Sequence, residues 1–339
     1  MAVTIRDVAR EARVSVASVS RALNGSPAVT DETRQRIASI AQRLRYVPHS
    51  AARSLITKRT QTIGALLPDL YGEFFSELIR GIDLAARAKG LHLLVSSSHG
   101  DADEAAAALR AMQGRVDGML ILSPHVDAAF LRANLPESTP AVLLNSAFDS
   151  PQFDVLNIDN YGGAWAMTRH LLDAGHASVT FVSGPEDNFD AQQRERGYRE
   201  AMAAFAPKAL AQVVAGDFSE ESGYLAGRAL AKNGKPLPAV FAANDMMAVG
   251  CLRAFAESRL RVPQDVALAG FDDIPIARYV APALTTVRVR IVDLGRRALE
   301  CVAAAIEKPG RARGAAQTLA CEVVVRASSG GEAKPSKPV

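Results

Sequence analysis

From Gln61 onward the chain alternates short apolar runs with amphipathic stretches of helical length, and this alternation limits the fold more than any other feature. The runs are TIGALLP, LHLLVSS, DGMLILS, PAVLLN, VLNID, SVTFVSG, PAVFAAN and VALAGFDD. Between them stand FFSELIRGIDLAARAKG, YGGAWAMTRHLLDAG, ESGYLAGRALAKNG and DMMAVGCLRAFAESR. Runs without polar positions suit strands covered on both faces, so the pattern predicts parallel α/β sheets with helices on either side. Residues 61–327 are too many for one such sheet. We therefore read a two-lobed core: lobe 1 at about 61–160 plus 291–318, lobe 2 at about 161–290 plus 319–327. The first change of lobe falls around Asp159–Gly162. A cleft between lobes, at the carboxyl ends of strands, is where an open α/β protein places a ligand.

Residues 1–60 differ in kind. The whole chain carries a formal charge of +3, but this stretch alone has eleven Lys/Arg against four Asp/Glu, a balance of +7 that leaves −4 for the rest. A basic head on a mildly acidic body is the electrostatic outline of a nucleic-acid reader, though charge alone fits a solvated face equally well. The local pattern goes further. Thr4 followed by Asp7 is a capping box, and Ile5, Val8, Ala9 and Ala12 recur at helical spacing. Ser15 can cap a second helix running to Leu23, with Val19, Ala22 and Leu23 on one face. NGSPAV has turn chemistry. Thr30 caps a third helix whose stripe is Ile37, Ile40, Ala41 and Leu44, with acids in its first turn and Arg43 and Arg45 near its end. Residues 1–47 thus form an all-α helix-turn-helix head. The plain segment VSVASVSRALNG then has a purpose: small exposed side chains let a recognition helix approach the major groove closely. Ser15, Ser18 and Ser20 can donate to phosphates, Arg21 can grip guanine, and Val16 and Ala17 can meet a thymine methyl.

Residues 48–60 read as a hinge. Pro48 stops the third helix, and HSAARSL is too short to hold a helix alone in water, so it should order only against DNA or its own copy. Leu55, set among Arg53, Lys58 and Arg59, fits a wedge between base steps in the minor groove. It fits equally well a linker leucine packed on the body. The DNA-binding set is therefore Ser15, Val16, Ala17, Ser18, Ser20, Arg21, Asn24, Ala52 and Leu55. In the core, polar or aromatic residues stand where strands should end: Phe74, Phe75, Ser123, Asn145, Asp159, Arg194, Phe218, Asn244 and Asp272, with Asp273 beside it. Planar amides, carboxylates and a guanidinium can grip neighbouring hydroxyls while rings cover a C–H face, as a sugar site requires. Each also has a plainer use: Asn244 as a helix N-cap, Asp272–Asp273 as a turn, Phe75 as core.

Little in the chain supports catalysis. Gly227 and the Gly234–Lys235 pair lack phosphate-loop spacing, no nucleophile elbow or dinucleotide fingerprint occurs, and the six histidines show no metal-ligand spacing. No cofactor or metal is expected. Cys251, Cys301 and Cys321 are too far apart for a disulfide framework, no apolar run reaches about 18 residues, and the first residues are charged. A cytoplasmic protein without a membrane span fits.

The stretch TIRDVAREARVSVASVSRALNGSPAVTDETRQRIASIAQRLRYVPHSAARSL closely resembles the head of the LacI/GalR family of bacterial transcription regulators. FSEESGY, ANDMMAVG and GFDDIPIARYVAPALTTVR resemble that family's periplasmic-binding-protein-like core, and the likeness runs to about Arg326. The resemblance implies base-reading positions at Val16, Ala17 and Arg21, and the minor-groove leucine at Leu55. It implies effector contacts at Arg194, Phe218, Asn244 and Asp272, with Phe74 and Phe75 on the first lobe and looser placements at Asn145 and Asp159. Two departures stand out. Ala51 replaces a frequent hinge valine, and ASSGGEAKPSKPV has no leucine heptads, so 328–339 reads as a disordered tail and the assembly as a homodimer. The implied activity is repression of carbohydrate uptake or catabolism genes: two heads on a near-palindromic operator, controlled by a small sugar-like effector in the cleft. The rival readings are a sugar-binding transport receptor and a regulator controlled by a protein partner.

Overall fold

The computed structural model describes residues 3–23, 26–46, 59–123, 127–147, 152–232, 239–308, 314 and 316–330. The chain divides into two compact units, Met1–Thr60 and Gln61–Val339. Asn24, Ala52, Leu55 and the hinge expectations at 47–58 lie outside the described residues.

Among its described residues the first unit holds three helices: α1 (Ile5–Ala12), α2 (Val16–Leu23) and α3 (Asp31–Arg43). Each start is fixed by a short polar side chain. The Asp7 carboxylate accepts from the Thr4 backbone N–H at 3.0 Å and its hydroxyl at 2.7 Å, which holds the Asp7 carboxyl below its usual range. Ser15 Oγ accepts from the Ser18 N–H at 3.1 Å, and Thr30 Oγ1 from the Thr33 N–H. The turn from α1 to α2 passes through Arg13 at φ 52°, a left-handed step that reverses the chain within a few residues. Val8, Ala9, Ala12, Val19, Ala22, Ile37 and Ala41 meet inside, with Ile5, Leu23, Ile40 and Leu44 packed on them.

Among the described residues the second unit contains two six-stranded sheets. The strands are β1 (Thr62–Leu67), β2 (His92–Ser97), β3 (Gly118–Ile121), β4 (Ala141–Leu144), β5 (Asp154–Ile158), β6 (Thr180–Val182), β7 (Gln212–Val214), β8 (Ala239–Ala242), β9 (Ala267–Asp272), β10 (Thr285–Arg288), β11 (Ala316–Leu319) and β12 (Glu322–Val324). Lobe 1 has the order β11-β5-β4-β3-β1-β2 and lobe 2 the order β12-β10-β9-β8-β6-β7. Every pair is parallel except β10 with β12. The helices are α4 (Glu73–Ala88), α5 (Ala102–Met112), α6 (Ala128–Asn134), α7 (Asn160–Asp173), α8 (Phe189–Phe205), α9 (Glu220–Lys232), α10 (Asp245–Glu257) and α11 (Ile291–Glu307).

Period-two alternation sorts β1 onto two cores: Ile63, Ala65 and Leu67 join the larger cluster, while Leu66 packs with Leu109, Met112, Ile121 and Leu143 on the other face. Helix pairs touch through glycine. A β-carbon on Gly81 of α4 would strike the Val292 carbonyl of α11, and one on Gly250 of α10 would strike the Glu220 carbonyl of α9. The chain passes between lobes three times: β5 to α7, β10 to α11, and β11 to β12. Asp159 marks the first passage, and its N–H donates to the Leu319 carbonyl at 2.9 Å beside the third.

Two expectations change here. Residues 328–330, expected in the disordered tail, pack against lobe 2 instead. Ser328 and Ser329 are buried in a 3-10 turn, Ala327–Ser329. The Ser328 hydroxyl donates to the Leu268 carbonyl at 2.6 Å and accepts from the Thr285 N–H at 2.8 Å, tying this turn to β9 and β10. Leu319, assigned to lobe 2, pairs with Ile158 in the lobe 1 sheet.

Candidate functional site

In the first unit, α2 buries Val19 and Ala22 and turns Ser15, Val16, Ala17 and Arg21 to solvent, while Ser18 and Ser20 are half-buried. Val16, an apolar side chain on that outer face, is 42% exposed. Ser18 and Ser15 also share a hydroxyl contact at 2.9 Å, so Ser15 serves as the helix cap as well as a surface group. The outer face is small, neutral and ridged by one arginine, a shape suited to a groove lined with hydrogen-bonding edges.

The core site is built around Arg194. It was expected at a strand end, yet it projects from the second turn of α8 and is 4% exposed. Its Nε donates to Asn160 Oδ1 at 2.7 Å and its Nη1 to the Ala243 carbonyl at the end of β8, at 2.6 Å. Nη2 stands 3.1 Å from Asp272 Oδ1 at the end of β9, close enough for an ion pair but off the N–H axis. The guanidinium carbon lies 3.9 Å from the Phe271 ring centroid and 5.7 Å from that of Phe218. Two helices and two strand ends therefore fix one cation.

Around it lie three carboxylates that feel their burial. Asp190, in the first turn of α8, accepts from Asn145 Nδ2 and from Asn160 Nδ2, each at 2.8 Å. Enclosure still raises its pKa to about 6, against the lowering pull of Arg194 and the two amides. Asp272 is likewise raised to about 6, by burial first, with Arg194 pulling it down and Asp190 pushing it up. Asp245, at the start of α10, is pushed well above the carboxylate range by burial and then by Asp272, while Thr286 Oγ1 and the Ile274 N–H donate to it. Asp273 is held separately by Arg288 Nε at 2.6 Å and Arg326.

Lobe 1 meets this group directly. Asn145, at the end of β4, supplies the bond to Asp190 across the cleft. The Tyr71 hydroxyl donates to Glu220 at 3.1 Å, and Glu73 accepts from the Ile276 N–H at 2.8 Å, so the cleft mouth is bridged twice more. Phe74 and Phe75 begin α4 as a T-shaped pair with centroids 5.5 Å apart, half-buried against the core. Three polar atoms at strand ends are buried with no hydrogen-bond partner: Ser123 Oγ, Asn145 Oδ1 and Asp272 Oδ1. Such atoms are costly unless something else completes them. Backbone strain gathers here too: Asn145, Phe218, Asp272 and Asp273 all have φ between 49° and 108°.

The structure thus brings Asn145, Arg194, Phe218, Asn244 and Asp272 into one network, with Ser123 at the end of the strand next to β4. Asn244 also takes its plainer role: its Oδ1 accepts from the Met247 N–H as N-cap of α10, and its Nδ2 donates to the Phe218 carbonyl. Asp159 caps α7, accepting from the Gly162 N–H at 2.9 Å. Sequence reasoning missed Asn160, Asp190 and Asp245. Each lies in the first turn of a helix, where polar residues are ordinary, and only the fold shows that they converge.

Comparison with known proteins agrees with both units. Residues 4–49 match the profile described as bacterial regulatory proteins, lacI family, and residues 168–329 match a periplasmic binding protein-like domain. Catabolite control protein A of Priestia megaterium is 34% identical over 302 residues, covering 88% of this chain and 91% of that protein. The ribose operon repressor of Haemophilus influenzae is 33% identical over 310 residues, covering 90% and 92%. Among solved structures, the Lac repressor dimer bound to operator and the anti-inducer ONPF superposes with a TM-score of 0.88 at 26% identity, covering 97% and 99%.

Proposed function

The chain belongs to the LacI family of bacterial regulatory proteins, and from that premise we propose that it is a repressor whose hold on DNA is set by a small sugar-like molecule bound between its core lobes. One observation carries the reading: the same chain joins a helix-turn-helix unit with an exposed, arginine-bearing second helix to a cleft where three buried polar atoms make no hydrogen bond. The first feature suits a duplex, the second a ligand rich in hydrogen-bonding groups.

In this reading Val16, Ala17 and Arg21 meet base edges while Ser15, Ser18 and Ser20 meet phosphates. Arg194, Asp272, Asn145 and Ser123 hold the effector, Phe218 covers it, and Phe74 and Phe75 close lobe 1 over it. Asn24, Ala52 and Leu55 remain part of the proposed DNA-facing set. The protein acts as a homodimer, since a near-palindromic operator calls for two heads. Leu84 on α4 and Leu94 on the outermost lobe 1 strand, with Leu225 on α9 and Tyr279 in lobe 2, are exposed apolar side chains that a second copy would cover. The relatives that this chain matches are named as regulators, which supports a regulator in the cytoplasm rather than an enzyme. Among the described residues no helix is long and apolar enough to cross a membrane.

The test is operator binding by the full chain against a palindromic promoter fragment, at several salt concentrations, with and without candidate sugars. Salt-sensitive binding that a sugar weakens or strengthens is expected, and Arg21→Ala should weaken the specific fragment by about 1–3 kcal/mol. Binding that ignores the sequence of the fragment would sink the reading.

A further inference from the structure

We propose that Asp190 is the positioning residue that ties the two lobes together, through a one-way hydrogen-bond relay from Arg194 of lobe 2 to Asn145 of lobe 1. Through it, what Arg194 grips sets the angle between the lobes; this last step rests on the reading of the cleft as an effector site, the tie itself on geometry. Arg194 Nε donates to Asn160 Oδ1 at 2.7 Å. Asn160 Nδ2 donates to Asp190 Oδ1 at 2.8 Å, and Asn145 Nδ2 donates to Asp190 Oδ2 at 2.8 Å. The members come from three places. Asn145 follows β4, Asn160 opens α7 just after the first passage between lobes, and Asp190 and Arg194 stand four residues apart on one face of α8.

The order of donors and acceptors is fixed at both ends of Asn160. An ionised carboxylate only accepts, so both amides must turn Nδ2 toward Asp190. A guanidinium only donates, so Arg194 claims the Asn160 oxygen and holds that amide in the same orientation. Asn160 is buried, which leaves little room for water to replace a partner that moves away. The two other bonds described across the cleft lie at its mouth, Tyr71 to Glu220 and the Ile276 N–H to Glu73, and neither involves a member of the relay. Tyr71 is exposed, so its bond competes with water. Burial raises the Asp190 pKa to about 6, against Arg194 and the two amides, so the carboxylate is ionised at pH 8.

The experiment exchanges the two partners in the full chain at pH 8. In Asn145→Asp two carboxylates face each other with no donor between them, and aspartate accepts the left-handed backbone of that position, φ 49°, as asparagine does. Adding Asp190→Asn restores an unbroken order: the new amide at 190 accepts from Asn160 and donates to the new carboxylate at 145. Asp190→Asn alone should do less, because Asn145 can turn its amide to accept. Hydrogen exchange of residues 145–146 and 188–194 should rise roughly ten-fold in Asn145→Asp and return to within about two-fold of the parent in the double variant. Operator affinity is measured alone and with D-ribose, D-glucose, D-fructose or cellobiose. A sugar-induced change, on the order of 5–150-fold, should fall to about two-fold or less in Asn145→Asp and return in the double variant. If Asn145→Asp does not fold, Asn145→Ala and Asp190→Ala take its place, and their effects on exchange should not add. Asn145→Asp exchange equal to the parent's, or a double variant no better than the single one, overturns the relay. Rescue of exchange without rescue of the sugar response overturns its part in control. If exchange follows the expected order while none of the sugars changes operator affinity in the parent chain, the tie stands and the effector reading falls.

Discussion

Lobe 1 and lobe 2 each build a sheet from five parallel strands and close it with one strand drawn from residues 316–324, in the same spatial order. The groups they turn toward the cleft nevertheless carry different chemistry. Around the buried network lobe 1 offers neutral groups, Ser123, Asn145 and the Phe74–Phe75 pair, with the Glu73 carboxylate at the cleft mouth. Lobe 2 offers Arg194, Asp190, Asp245, Asp272 and Asp273, interlocked and in part strained. A duplicated scaffold thus divides the work: one half fixes orientation through charge, the other completes the enclosure with groups cheap to bury. Closing neutral groups onto a charged network costs less desolvation than bringing two charged faces together.

The largest test of that division is Arg194→Leu. Removing the cation leaves Asp190 and Asp272 facing each other, so chemical denaturation should show a loss of about 3–5 kcal/mol, and effector response should vanish. A loss no larger than that of Ser123→Ala would show that lobe 2 is not the charged anchor. Next come Gly81→Ala in lobe 1 and Gly250→Ala in lobe 2, each forcing a close helix pair apart for about 1–3 kcal/mol. Both should lower one shared melting transition, because the core is a single compact unit; two separated transitions would mean that the lobes melt alone. Asn145→Ala should cost only about 1 kcal/mol, yet it cuts the bond across the cleft, so small-angle scattering should detect a more open core.

The smallest effect concerns acid. Burial holds His170 and His176 of lobe 2 below the usual imidazole range, so their contribution is complete above pH 6.5 and fades as pH falls further. Asp190 and Asp272 act oppositely: their raised values mean that stability grows as pH drops from about 6 toward 3.8. Replacing both histidines with glutamine should therefore improve stability at pH 5.5 relative to pH 8, by less than about 1 kcal/mol given their partial exposure. Equal stability changes at both pH values would remove the histidines from the account.

How much of this could be read from the chain varied with the range of the contacts involved. The head was legible because caps and apolar stripes are local: Thr4–Asp7, Ser15 and Thr30 each act within three residues. Most buried strands were legible as apolar runs, but β10 was not, because its buried positions include Thr285 and Thr286. Of the edge strands β2 was legible, but β7, β11 and β12 were not, since β7 and β12 have three residues each and β11 is mostly exposed. Arg194 and its neighbours Asp272 and Phe218 were recognised through their resemblance to a known motif, but Asn160 and Asp190 were not. Asn160 lies 34 residues away in sequence and Asp190 meets Asn145 from 45, and no spacing rule connects such pairs.

Residues 316–324 reach both sheets, pairing with Val155–Ile158 in one and Thr286–Arg288 in the other. While the chain is still leaving the ribosome, β5 and β10 both present bare backbone edges, open to pairing with any neighbouring nascent chain. Neither half can be finished ahead of the other, because one short passage of polypeptide seals both. Production in the cell then depends on how quickly that passage emerges, and chaperones would be most needed in the interval just before it does.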